Sequence, residues 1–166
     1  MYDWANSVYS LVITSTIFPI YYNSITTVNG NDVVTFFGFQ FKNSALYTFS
    51  LSFAFLVIAF LSPILSGIAD SRGNKKSFMK FFCFTGATAC AALYFFNSVD
   101  TLWLGLSAFI IATIGFAGSI VFYNAFLPEI ASVKNQDKVS AKGFALGYIG
   151  SSLLLIFNLV MIQQTD

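Results

Sequence analysis

Asp3 is a carboxylate on a polar stripe within an otherwise apolar segment. Ser7, Ser10 and Thr14 follow it at helical spacing and share its face of a helix, and Asn6 lies beside them. Lipid offers polar groups no partner, so such a stripe on a spanning helix must face protein or water. Two interpretations of Asp3 remain: it binds a substrate amine or a coupling proton, or it caps its helix near the membrane surface. The hydroxyl groups either line a solute path or bond their own backbone.

A second group of charged residues lies in the stretch LSGIADSRGNKK at 65–76. Asp70, Arg72, Lys75 and Lys76 are crowded there between two long apolar segments. A charged, glycine-containing stretch of this kind is typical of a short turn between two membrane helices on the positively charged side of the membrane.

Two further groups lie later in the chain. Tyr123 and Asn124 are polar residues near the end of an apolar segment, where they either line a cavity or pack against neighbours. A stripe of small residues recurs at every fourth position of the last apolar segment and predicts close packing with another helix. Its members are Gly143, Gly147 and Ser151, with Gly150 beside them.

The composition predicts an all-α polytopic membrane protein. The 166 residues are 57% hydrophobic and 9% charged, whereas soluble domains carry about 25% charged residues. The lipid bilayer is therefore the expected partner. The net charge of +1 gives no reason to expect nucleic acid as a partner. Histidine is absent and the acidic residues are scattered, so we expect no metal, no cofactor and no enzyme.

Apolar segments of about 20 residues predict five membrane-spanning helices. They lie at about residues 3–26, 45–69, 78–96, 102–127 and 143–162. Loops are predicted at about 27–44, 70–77, 97–101 and 128–142. Of these, 27–44 either lies on the membrane surface or forms a short hairpin.

The basic residues orient these spans. Seven of the eight lysine and arginine residues lie in or directly after the loops at 70–77 and 128–142, and only Lys42 lies elsewhere. Because basic loops face the cytoplasm, these two loops and the amino terminus are predicted to be cytoplasmic. The loops at 27–44 and 97–101 are then outside.

The charged stretch resembles a motif of the major facilitator superfamily, in the loop after the second helix. That pattern is Gly, three residues, Asp, Arg, any residue, Gly and then basic residues. Asp70, Gly73 and the pair Lys75 and Lys76 match it, while Gly67 and Arg72 each stand one position late. The resemblance implies that these six residues form a cytoplasmic gate whose ion pairs exist in only one state of the transporter.

The opening of the chain is similar to one branch of that superfamily, the autophagy-related vacuolar effluxer family and its bacterial relatives. The run Tyr-Asp-Trp-Ala-Asn-Ser at 2–7 stands in that branch's order and is followed by Phe18 and Pro19. The stretches LPEIA at 127–131 and GFALGYIGSSLLLI at 143–156 also resemble it.

The resemblance implies twelve helices in two six-helix halves, of which this chain supplies most of the first. It implies a fragment of a secondary active transporter that moves a small solute, with amino acids and coupling protons as the expected cargo. The remaining helices would come from the same or a partner chain, because the solute site of such transporters lies between the halves. The alternative is a structural half-subunit that assembles with a partner. The abundance of Phe, Asn and Lys indicates an AT-rich bacterial source. The expected location is then the bacterial inner membrane.

Overall fold

The computed structural model describes residues 2–28, 30–72 and 74–165, and the side chains of all of these except 69–72 and 165. Helices dominate, which confirms the all-α class. The α-helices are α1 (Tyr2–Val8), α2 (Phe18–Thr26), α3 (Asn43–Arg72), α4 (Lys75–Ala92), α5 (Leu102–Asn124), α6 (Leu127–Ile130) and α7 (Gln136–Thr165). A π-helical segment, Tyr9–Ile17, joins α1 to α2. Short 3₁₀ turns follow α4, precede α5 and precede α7.

Four helical stretches among the described residues are long and apolar enough to cross a membrane. They are Asn43–Ile68, Lys75–Phe95, Val99–Ile130 and Val133–Gln164. The predicted first span is helical from Tyr2 to Thr26 but is divided into segments of 7, 9 and 9 residues. Each segment alone is shorter than the roughly 20 residues that a span needs.

The π-helical segment was not predicted. Its hydrogen bonds reach one residue further back than those of an α-helix, and the Phe18 N–H accordingly bonds the carbonyl of Ile13. The segment ends just before Pro19, which lacks an N–H and would clash with the carbonyl four residues earlier in a regular helix. A wider helical turn before the proline relieves that clash, and π-helical turns occur frequently at functional sites.

The chain divides into two compact units. The first unit joins Met1–Tyr22 with Leu127–Asp166, and in it α1 and the π-helical segment pack against α7. The second unit is Asn23–Phe126. In it α5 packs against both α4 and α3. Half of the residues in the apolar stretch of α5 are buried, compared with 11% of those in α3 and 6% of those in α4.

Tight contacts hold α4 against α5. Gly86 and Gly115 let the two backbones touch in the middle of the pair. Towards the amino-terminal end of α4 the ring of Phe122 stacks between two rings of that helix, 5.2 Å from Phe78 and 5.9 Å from Phe82. Phe122 is fully buried as a result.

The loop between α2 and α3 contains a β-hairpin, which was one of the two predicted alternatives. Strands β1 (Val33–Phe36) and β2 (Phe39–Lys42) pair antiparallel, from Val33↔Lys42 to Phe36↔Phe39. The two-residue tip, Phe37 and Gly38, has φ angles of 50° and 83°. Positive φ at both tip residues is the geometry of a type I′ turn, whose twist matches that of the strands.

Two of the predicted loops are shorter than expected. Helix α3 continues to Arg72 and α4 already begins at Lys75, so little of the predicted loop at 70–77 lies outside a helix. Helix α7 begins at Gln136 rather than near 143, and α6 occupies part of the same predicted loop. Hydropathy marks the apolar part of a helix, whereas polar helix-forming residues such as those at 136–142 continue the helix beyond it.

Candidate functional site

The small-residue stripe of α7 lies against the polar stripe of α1. Gly143 faces the carboxylate of Asp3, and Gly147 faces the hydroxyl of Ser7. A Cβ atom on either glycine would overlap those groups. Spacing of four residues on both helices places Asp3 above Ser7 and Gly143 above Gly147 on facing surfaces. Glycine at these two positions therefore makes room for two polar side chains.

Trp4 occupies the next place along the same contact. A Cβ atom added at Gly150 would lie 2.5 Å from the indole ring, so the ring rests on the bare backbone of α7. The ring is 40% exposed. The contact between α1 and α7 thus combines a carboxylate, a hydroxyl and an aromatic ring on one side with glycine on the other.

The position of Asp3 agrees with both interpretations made from the sequence, helix capping and the binding of a substrate or proton. It lies in the first turn of α1, where a carboxylate is favoured by the helix dipole. It is also half-buried and faces another membrane helix, where an ionisable group is a candidate for substrate or proton binding. Asn6 is half-buried on the same helix.

The hydroxyl groups that follow Asp3 are used locally. The Ser10 hydroxyl, which is exposed, donates to the Ser7 carbonyl at 3.1 Å. The hydroxyls of Ser15 and Thr16 donate to carbonyls five residues back, at 2.7 and 2.9 Å. The carbonyls that accept from Ser15 and Thr16 belong to the π-helical segment before Pro19. Ser151 of α7 is fully buried and donates to its own helix, at 2.8 Å to the Gly147 carbonyl.

The predicted gate residues are distributed over the end of α3 and the start of α4. Gly67 lies in α3, and a Cβ atom there would meet no other atom within 4 Å. The side chains of Asp70 and Arg72, and Gly73 as a whole, lie outside the part of the chain that the structure describes. Lys76 is exposed.

Lys75 has a contact that the sequence did not indicate. Its ammonium group donates to the carbonyl of Ala125 at 3.1 Å, just beyond the last residue of α5. The last carbonyls of a helix have no partner within it and form the negative end of the helix dipole. Lys75 therefore links the start of α4 to the end of α5, next to Tyr123 and Asn124.

Tyr123 and Asn124 end α5 in the second compact unit, whereas Asp3, Asn6 and Ser10 belong to the first. Tyr123 is half-buried and Asn124 is exposed. The carbonyl of Tyr123 accepts from the N–H of Phe126 at 3.1 Å and helps to close the turn after α5. Among the described residues, no group of three or more Cys, Asp or Glu side chains is arranged to hold a metal ion.

The chain matches known proteins along its whole length. A family model described as Vacuole effluxer Atg22 like matches residues 1–166. The Uncharacterized MFS-type transporter YxiO of Bacillus subtilis (strain 168) is 38% identical over 98% of this chain and 36% of its own length. Autophagy-related protein 22-2 of Aspergillus niger (strain ATCC MYA-4892 / CBS 513.88 / FGSC A1513) is 32% identical over 68% of this chain and 19% of its own length.

A second bacterial relative, an uncharacterized protein of Aquifex aeolicus (strain VF5), is 25% identical over 95% of this chain. This chain spans 36% of each of these two bacterial relatives. No solved structure gives a significant match. The match of the family model to the whole chain confirms the resemblance seen in its opening residues, and the chain belongs to the vacuole effluxer Atg22-like family.

Proposed function

We propose that this chain forms part of a secondary active transporter that moves a small solute across a membrane by alternating access. Family membership supports the proposal, because the descriptions of the matched family and of a bacterial relative name an effluxer and an MFS-type transporter. Four helices that can cross a membrane agree with such a role. No enzymatic role is proposed, since these descriptions concern transport.

The single observation that carries the proposal is the position of Asp3. It is a half-buried carboxylate beside Gly143 of another membrane helix, with the Ser7 hydroxyl one turn further along the same face. Ionisable groups are costly inside membranes and are retained mainly where they bind solutes, ions or protons. In our proposal Asp3 binds the amine of an amino-acid solute or carries the coupling proton, and Asn6 and Ser10 lie along the solute path.

The remaining helices complete the proposed transporter, in the same chain or in a partner chain. This agrees with the 36% of each bacterial relative that the chain spans. Gly67, Asp70, Arg72, Gly73, Lys75 and Lys76 form the proposed cytoplasmic gate. Tyr123 and Asn124, which directly precede the Lys75 contact at Ala125, line the cavity near that gate. The proposed location is a bacterial inner membrane, with the amino terminus in the cytoplasm.

Transport by the full-length protein in proteoliposomes tests the proposal. Uptake of a mixture of labelled amino acids is measured with and without an imposed proton gradient, for the wild type and for Asp3→Asn. Asparagine keeps the size and hydrogen-bonding capacity of the side chain but cannot carry a charge or a titrating proton. We expect gradient-driven uptake by the wild type and a loss of at least tenfold in Asp3→Asn.

Asp137→Asn is the matched control, because Asp137 is an exposed carboxylate in the first turn of α7. It should transport like the wild type. Normal transport by Asp3→Asn would leave Asp3 only its helix-capping role. Wild-type protein that moves other small solutes but no amino acid would overturn the proposed solute class and leave the transporter proposal standing.

A further inference from the structure

The tip of the β-hairpin carries a residue that the turn itself does not favour. Phe37 has a φ angle of 50°, in the left-handed region where Asn, Asp or Gly is the usual residue. The side chain is 84% exposed, so packing within the described part of the chain does not account for it. A strained backbone of this kind is retained where the surrounding structure or a function requires it.

The base of the hairpin is fixed to the start of α3. The Asn43 N–H donates to the Asp32 carbonyl at 2.7 Å. The side-chain amide nitrogen of Asn43 lies 2.9 Å from the side-chain oxygen Oδ1 of Asn23, 3.1 Å from the Thr26 hydroxyl and 3.2 Å from the Thr27 hydroxyl. Asn43 and Thr26 are buried. This polar cluster holds the end of α2, the hairpin and the start of α3 together.

The other end of the hairpin lies at the start of α5. Thr35, Phe36 and Phe37 line a groove of about 270 Å³. Val99, Asp100, Leu102 and Trp103, at the start of α5, line it from the other side. Helices α3 and α5 run in the same direction through the second unit, because the single helix α4 connects them. The hairpin therefore lies across this end of the unit instead of projecting away from it.

The two faces of the hairpin differ in polarity. Directly paired residues share a face, so Val34, Phe36, Phe39 and Phe41 form an apolar face. The opposite face carries Val33, Thr35, Gln40 and Lys42. Val34 is buried, yet Phe39 on the same apolar face is 70% exposed. The apolar face thus extends beyond the protein surface that covers its base.

Other aromatic side chains are exposed at the same end of the second unit. Trp103 at the start of α5 is 61% exposed, and Tyr94 and Phe95 after α4 are 85% and 62% exposed. This end joins three helical stretches that can cross a membrane, so it lies at the level of the membrane–water interface. Aromatic residues are enriched at that level because their rings suit the headgroup region.

We propose that the hairpin is a lipid anchor: Phe37 and Phe39 insert into the interfacial region of the leaflet that meets this end of the helices. Lipid then contacts the strained tip, the exposed part of the apolar face and the exposed rings after α4 and at the start of α5. The polar face, with Gln40 and the exposed Lys42–Asp32 ion pair at 3.9 Å, faces water. By the distribution of basic residues this leaflet is the outer one. The anchor holds the loop between α2 and α3 flat against the membrane.

Photocrosslinking tests which partner the apolar face has. Benzoylphenylalanine is placed at position 39 or 40 of the full-length protein, which is then reconstituted in vesicles of phosphatidylethanolamine and phosphatidylglycerol. After irradiation the adducts are identified by mass spectrometry. We expect at least fivefold more lipid adduct from position 39 than from position 40, since these neighbouring residues lie on opposite faces. Equal lipid yields, or adducts mainly to protein, would overturn the proposal; protein adducts would assign this face to another chain segment or a second copy.

Substitution of the tip residue gives a second test, in which hydrogen exchange of the strand amides should change in opposite directions with and without a lipid contact. Asn suits the left-handed backbone better than Phe, so for a tip without a lipid contact Phe37→Asn should slow hydrogen exchange of the strand amides. With the lipid contact, the same change should speed exchange in vesicles at least threefold, while Phe37→Tyr keeps the wild-type rate. Slower or unchanged exchange in Phe37→Asn would contradict the anchor.

Discussion

The contact between α1 and α7 and the contact between α4 and α5 use glycine for different purposes. Gly115 of α5 admits the backbone of α4, since a Cβ atom there would lie 2.6 Å from the Cα atom of Gly86. Gly143 and Gly147 of α7 admit the polar side chains of Asp3 and Ser7 instead. The first contact brings two helices together, and the second makes space for groups that can do chemistry.

The difference matters because lipid supplies no hydrophobic force that drives membrane helices together. Helices there associate through close van der Waals packing and hydrogen bonds, and both need small residues at the contact. A contact of backbone on backbone is rigid, whereas a contact of backbone on side chain can adjust. The same small-residue pattern in a sequence can therefore mark a fixed pair of helices or a polar site between helices.

Gly115→Ala should be the most harmful single methyl addition to these contacts. The new Cβ atom would meet backbone atoms of α4, which cannot move aside without separating the helices. We expect a loss of about 3 kcal/mol in the free energy of unfolding, at the upper end for overpacking. Thermal or denaturant unfolding in detergent measures it.

Gly86→Ala is the matched control, because its Cβ atom would lie 3.4 Å from the backbone of α5, at ordinary contact distance. We expect a change within about 1 kcal/mol, with the gain in helix propensity of up to about 1 kcal/mol acting in its favour. Equal losses for Gly86→Ala and Gly115→Ala would show that the backbone contact is looser than the structure has it.

Gly150→Ala should have an intermediate effect. Its Cβ atom would lie 2.5 Å from the Trp4 ring, but the ring is partly exposed and can swing away. We expect a loss of about 1–2 kcal/mol, typical of inserting a methyl group where a side chain must move. In a Trp4→Ala background Gly150→Ala should cost much less than in the wild type, because the clashing ring is gone. A double-mutant cycle of unfolding free energies in detergent measures this coupling. Additive losses would mean that Gly150 is needed for a reason other than the ring.

The sequence predicted the family, the helical class and the apolar parts of the helices. Apolar runs locate α3, α4, α5 and α7 because a membrane core imposes a minimum length of apolar helix. The ends of these helices were less predictable: α7 begins at Gln136 because polar turns outside the bilayer still favour a helix. The four-residue spacing of Gly143 and Gly147 also indicated a close contact, but the partner of each glycine is a matter of tertiary structure.

Three features had no clear signal in the sequence. The π-helical segment Tyr9–Ile17 keeps an apolar and polar pattern that an α-helix would also show. The hairpin tip lacks the Asn-Gly or Asp-Gly pair that usually marks a type I′ turn, because Phe37 occupies the first position. The bond from Lys75 to the Ala125 carbonyl joins residues 50 positions apart, and a basic residue in a charged loop does not indicate which helix end it contacts.

Gly143→Ala should have the smallest effect on stability, and this follows from what the glycine faces. The new methyl group would displace the carboxylate of Asp3, the end of a half-buried side chain, instead of backbone or a ring. The cost of moving it opposes a gain in helix propensity of up to about 1 kcal/mol, so the expected net change is within about 0.5 kcal/mol. In an Asp3→Ala background the three atoms nearest to that methyl group are gone, so the same substitution should stabilise the protein by up to about 1 kcal/mol. Unfolding of the four proteins of this cycle in detergent measures both values. Gly67→Ala, whose Cβ atom meets nothing within 4 Å, calibrates the propensity gain in this chain. A loss from Gly143→Ala as large as that from Gly115→Ala would show that the carboxylate is held as rigidly as a backbone, and the two contacts would then be alike.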